Sequence, residues 1–125
     1  MKTKEILEEI GKYYENVEQD QNSLVLKSGR WLMSYAIDDD DINLTCYISS
    51  PVSGVPKNAY EKLNELNIRA SYGTYMFCDF GDNKGLYCYH SIISLESFKK
   101  SETKKIIEAL NSEAEKGLVV LTMEE

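Results

Sequence analysis

At 125 residues the chain is one domain's length, enough to bury roughly two-thirds of the surface of its unfolded form without disulfides or metals. Its formal net charge of -7, with no block of Lys and Arg, repels phosphate backbones and anionic lipid, so nucleic acid and membrane surfaces are poor partners. The apolar residues of 1–14 are broken up by Lys4, Glu5, Glu8 and Glu9, which denies them the core of a signal peptide. No other run is long enough to span a bilayer, so a cytoplasmic protein is expected.

Taken in chain order, the first expected element is an amphipathic helix with Thr3 as N-cap and Glu5 at the positive end of its dipole. Its stripe is Ile6, Ile10, Tyr13 and Val17, widened by Leu7 and Tyr14. The polar stretch 16–22 ends it. Three strands follow, over 23–27, 31–38 and 42–49, with a tight turn at Ser28-Gly29 and an acidic one at Asp38–Asp41. In the third, Ile42, Leu44, Cys46 and Ile48 alternate with Asn43, Thr45, Tyr47 and Ser49, which predicts one buried and one wetter face. Asn43-Leu44-Thr45 fits a glycosylation sequon, which has no meaning without secretion.

Residues 51–55 read as a loop, and Pro56 suits the first turn of a second helix carrying Leu63 and Leu66 on one face. Asn67 marks its exit. Two strands, over 74–80 and 86–91, then flank Gly81-Asp82-Asn83-Lys84-Gly85 as a hairpin rich in Tyr, Phe, Met and Cys. Ser94 or Ser101 caps a final helix whose stripe runs Ile107, Leu110, Ala114, Leu118 and Leu121. The period passes Gly117 without a slip, so Gly117→Ala is expected to be neutral or slightly stabilising, glycine being about 1 kcal/mol the poorer helix former. Val119 and Val120 leave a terminal strand as the alternative. The order α-β-β-β-α-β-β-α predicts an α+β fold: an antiparallel five-stranded sheet with helices packed on one face.

That order, with Leu63-Asn64-Glu65-Leu66-Asn67 followed by Tyr72-Gly73-Thr74-Tyr75 and the hairpin, resembles the YbjN family and the structurally similar class I type III secretion chaperones. The resemblance spans nearly all of the chain in element order and about residues 60–93 in motif. It implies a single bacterial domain over residues 1–125 that binds proteins rather than catalysing a reaction. The chaperones hold a partner segment in extended form and are commonly homodimers, and YbjN-like proteins are described as regulators. No catalytic residue and no cofactor come with the resemblance.

The residues that could carry chemistry read weakly. Counted from Asp38 as a calcium loop, the sixth position is Asn43 and the twelfth is Ser49 instead of Gly and Glu, so Asp38–Asp41 reads as a solvated acidic turn. Cys46, Cys78 and Cys88 lack the close pairs of a zinc site and read as reduced, half-buried thiols. Cys88 and His90 share one side of a strand, but roughly 6.5 Å between such positions is long for a nucleophile–base hydrogen bond. Gly81–Gly85 precedes a strand and so makes a hairpin loop, not a phosphate cradle.

Aromatic placement is the functional signal. Tyr75 and Phe77 share one side of a strand, Tyr87 and Tyr89 share one side of the next, and Tyr47 lies on the wetter side of its own. If the helices cover Leu44, Cys46, Cys78 and Cys88, these five aromatics form an outer protein-binding face, suited by the amphipathic tyrosine ring. The alternative is that a loop or the terminal helix covers that face too. Two readings of function follow: a non-enzymatic module holding a protein client, as a homodimer, or a small acidic adaptor or immunity-type protein neutralising one partner.

Overall fold

Alternation does in strand β4 (Asn43–Ser53) what its period requires. Leu44, Cys46 and Ile48 are buried, whereas Asn43, Thr45 and Tyr47 meet solvent partly or fully. A computed structural model, which describes residues 3–70, 73–100 and 103–123, sets β4 inside a six-stranded antiparallel sheet. Around it come α1 (Thr3–Ile10), β1 (Glu15–Gln19), β2 (Ser23–Ser28), β3 (Trp31–Ile37), α2 (Ala59–Arg69), β5 (Gly73–Gly81), β6 (Lys84–Ser94), α3 (Leu95–Lys100) and α4 (Thr103–Thr122). The strand order is β1-β2-β3-β4-β6-β5. The α+β class and the antiparallel sheet are as expected, and the alternation of burial places the buried apolar positions of β2 to β6 on one helix-covered face.

The sheet has six strands instead of five, and the element order differs accordingly. The extra strand, β1, occupies residues read as the end of a helix and a polar exit. Helix α1 stops at Ile10, after which Lys12 and Tyr13 donate their N–H groups only three residues back, to Glu9 and Ile10. Val17 is thus 54% exposed on β1 and not part of a helical stripe. All of β1 is exposed and held by backbone pairing to β2, with a bulge between Asn16 and Glu18, so it shows no apolar alternation. At the other end a short helix, α3, precedes α4, and Ser94 Oγ accepts the Glu96 N–H at 3.3 Å. Ser101 and the Tyr72 of the quoted motif lie outside the described residues.

Two boundaries moved for local reasons. Strand β4 runs through Pro51 because β3 has already ended there, at the two-residue turn Gly29-Arg30. The Arg30 guanidinium fills the gap, donating to Ser50 Oγ (2.7 Å) and to the Pro51 carbonyl (3.1 Å). A proline on that side removes no ladder bond. The β5–β6 hairpin closes on Asp82-Asn83, both at positive φ (51° and 62°), a primed turn that Asn and Asp tolerate. Helix α2 begins after Asn58, beyond Pro56, and Ile42 is exposed ahead of β4.

Helix α4 passes straight through Gly117, and Val119 and Val120 are helical, so the terminal-strand alternative falls. The expectation for Gly117→Ala also falls, for a steric reason. A Cβ there would run into the Tyr87 hydroxyl and the Tyr75 ring, whose Cε1 would lie 2.8 Å away. Neither ring is able to give way, because Tyr87 donates to the Ala114 carbonyl (2.7 Å) and Tyr75 to Glu113 Oε2 (2.6 Å). Gly117→Ala is therefore expected to destabilise by about 1–3 kcal/mol through overpacking. Val119→Ala, on the exposed side of the same turn, should stay within about 0.5 kcal/mol of wild type. Denaturant melts of both variants check this; equal midpoints would mean that α4 stands further from the sheet.

Candidate protein-binding face

Strand register decides which aromatics meet solvent. Tyr47 pairs with His90 and Ile48 with Tyr89, while Tyr75 pairs with Tyr89 and Phe77 with Tyr87. Directly paired residues share a face, so Tyr75, Phe77, Tyr87 and Tyr89 lie with Ile48 beneath the helices. All four are buried, Tyr75 at 4% exposure. The expectation of five aromatics on one outer face is corrected: among them only Tyr47, at 43% exposure, looks outward. The assumed link between Cys46, Cys78 and Cys88 was one residue out of phase, and a one-residue shift exchanges every side chain of a strand between faces.

Two of the buried tyrosines, Tyr75 and Tyr87, are structural donors. Burial raises the pKa of the Tyr75 hydroxyl, and the Glu113 carboxylate beside it pushes the same way. Burial likewise raises that of Tyr87. Both stay protonated and available to hold α4.

The opposite face bears no described helix. Its centre is Tyr47 stacked on His90, centroids 4.5 Å apart and rings inclined 24°. Register fixes what surrounds the pair. One row crosses the sheet as Val25, Ser34, Tyr47, His90 and Thr74. The row on one side is Leu32, Ser49, Cys88 and Met76, and on the other Ala36, Thr45 and Ile92. Leu32 and Ile92 are exposed, Ile92 at 58%. Neither was expected to matter, although Leu32 is out of phase with the buried Met33, Tyr35 and Ile37. That phase was the available signal.

Cys88 and His90 share one side of β6 as expected, but that side is the open face and not the helix-covered one. There His90 stacks on Tyr47, and Cys88 Sγ lies 3.8 Å from the Tyr89 carbonyl. Asp38 spends its carboxylate on the N–H groups of Ile42 (3.0 Å) and Asn43 (3.2 Å), closing its own turn. Among the described residues no three His, Cys, Asp or Glu side chains gather closely enough to hold a metal ion.

The cysteines differ more than their shared half-buried reading implied: Cys46 is buried, Cys88 intermediate and Cys78 exposed, all as free thiols. Burial pushes the Cys88 thiol up to about 11 and raises that of Cys46 too. At pH 8 about one Cys88 in a thousand is then thiolate, the reactive form. Disulfide-exchange labelling of native protein at pH 8 should modify Cys78 first, Cys88 slowly and faster as pH approaches 11, and Cys46 only on unfolding. Labelling of Cys46 as fast as Cys78 would contradict its place under the helices. Compared with family models, curated proteins and solved structures, the chain matches none.

Proposed function

We propose that this chain is a non-enzymatic protein-binding module of the YbjN-like or secretion-chaperone kind, holding a partner segment on the open face of its sheet and associating as a homodimer. The observation that carries the reading is the Tyr47–His90 stack, flanked by exposed Leu32 and Ile92 on a face that no described helix covers. Tyrosine is suited to such a surface, offering a large apolar ring at small entropic loss and a hydroxyl that tolerates water. Ser34, Thr45 and Ser49 between the larger residues keep the face flat and supply hydroxyls for a docked chain.

A second reading, an acidic adaptor that neutralises one basic partner, rests on a different place. Asp39, Asp40 and Asp41 are exposed together at the β3–β4 turn of a chain whose net charge is -7. Long-range attraction of that sort is screened within about 10 Å at 0.1 M salt.

The two readings separate in one experiment. Tyr47→Ser combined with Ile92→Ser should leave the melting temperature nearly unchanged, since both side chains face water. It should weaken self-association or client binding by about 1–4 kcal/mol for each anchor, read by sedimentation at several concentrations. Unchanged association by a folded double variant, together with binding that collapses with added salt, would move the function to the acidic turn.

A further inference from the structure

Where β2 turns into β3, on the helix-covered side, a pocket of about 200 Å³ opens between the sheet and α4. Tyr14, Ser28, Trp31, Met33 and Ile48 line it, with Asn111 and Glu115 on the α4 side. We propose that this pocket binds the head group of a methylated ammonium compound, an aromatic-walled cation site independent of the open sheet face. The face of an aromatic ring attracts a cation, and Trp followed by Tyr does so best. Both walls are set. Trp31 stands edge-on to the buried Tyr87, centroids 6.1 Å apart at 70°, and the Tyr14 hydroxyl accepts from Asn111 Nδ2.

The charge balance points the same way. Among the described residues Glu115 is the only charged side chain on the lining, one helical turn beyond Asn111. Asn111 Oδ1 meets no donor among the described residues, which leaves a buried acceptor without a partner on the α4 side. The acceptors on the lining, from Ser28, Asn111 and Glu115, leave the side formed by Trp31, Met33 and Ile48 apolar, so a bare ammonium group could not satisfy its donors all round. Methyl groups around the charge remove that need and suit the apolar side. The volume lies below the roughly 300 Å³ where drug-sized pockets begin, which limits the occupant to a few heavy atoms.

The chain has one tryptophan, so intrinsic fluorescence reads this pocket directly. Wild-type protein is titrated at constant ionic strength with tetramethylammonium, with choline, and with dimethylbutanol, the uncharged carbon isostere of choline. The expected result is a saturable change with both cations and none with the alcohol. Glu115→Gln, on an exposed position that will not disturb folding, should weaken the cations about fivefold. Tyr14→Leu should weaken them further, while Tyr47→Ser on the opposite face leaves the titration unchanged. A peptide carrying trimethyllysine, run beside choline, tells a modified side chain from a free solute, and saturation by either supports the pocket. No saturable change with any cation, an equal response to the alcohol, or a Glu115→Gln titration superimposable on wild type would overturn the proposal.

Discussion

The close approach of α4 to the sheet at Gly117 decides which side of the sheet is core. Two tyrosines on neighbouring strands reach past the position where a Cβ would stand, one donating to the Ala114 carbonyl and the other to Glu113. A buried hydroxyl without a partner is unfavourable by about 1–3 kcal/mol, so these bonds are nearly obligatory once the rings are inside. Glycine admits the helix, the helix satisfies the hydroxyls, and the hydroxyls fix the parity of β5 and β6. Cys88 and His90 are turned outward as the consequence, and the Tyr47–His90 stack forms because of it.

A second constraint governs how the sheet ends. Strand β5 is an edge, and an edge strand presents unpaired backbone groups that invite other chains. Asn67, near the end of α2, answers with its side-chain amide: Nδ2 donates to the Tyr75 carbonyl (2.9 Å) and Oδ1 accepts the Tyr75 N–H (2.7 Å). The amide stands in for a peptide group of an absent neighbour and ties α2 to the strand in the same stroke. The other edge, β1, is protected differently, by Glu15 and Glu18 along a short bulged strand.

What the residues made legible follows from the range of the interactions involved. Local periodicity located β3, β4, the β5–β6 hairpin and α4, since each repeats an apolar position every second residue or every third to fourth. The Asn67 exit was legible as a turn residue but not as the partner of Tyr75. Strand β1 was invisible because Val17 is its one apolar residue, leaving nothing to alternate. The candidate site failed at a non-local step. Within each strand the parity of Tyr75 with Phe77, and of Tyr87 with Tyr89, was correct. Joining that parity to Leu44 and Cys46 required the β4–β6 register, which no single strand contains. Gly117 looked like a tolerated blemish in a helix because its steric role belongs to rings about 30 and 40 residues earlier in the chain.

The composition of the open face also bears on the kind of complex it would form. Obligate interfaces resemble a domain core cut in half, and their centres are markedly apolar. Here Ser34, Thr45, Ser49 and Thr74 alternate with Leu32, Tyr47, Cys88 and Ile92, and the central aromatic already has an intramolecular partner in His90. Stacking on His90 holds the Tyr47 ring in place, so little side-chain entropy remains to be lost when a partner arrives. A face of this mixture can stand exposed to water and still recognise a ligand, which suits reversible capture better than permanent assembly. The tyrosines that would make the face sticky are on the inside, where Tyr75 and Tyr87 hold α4.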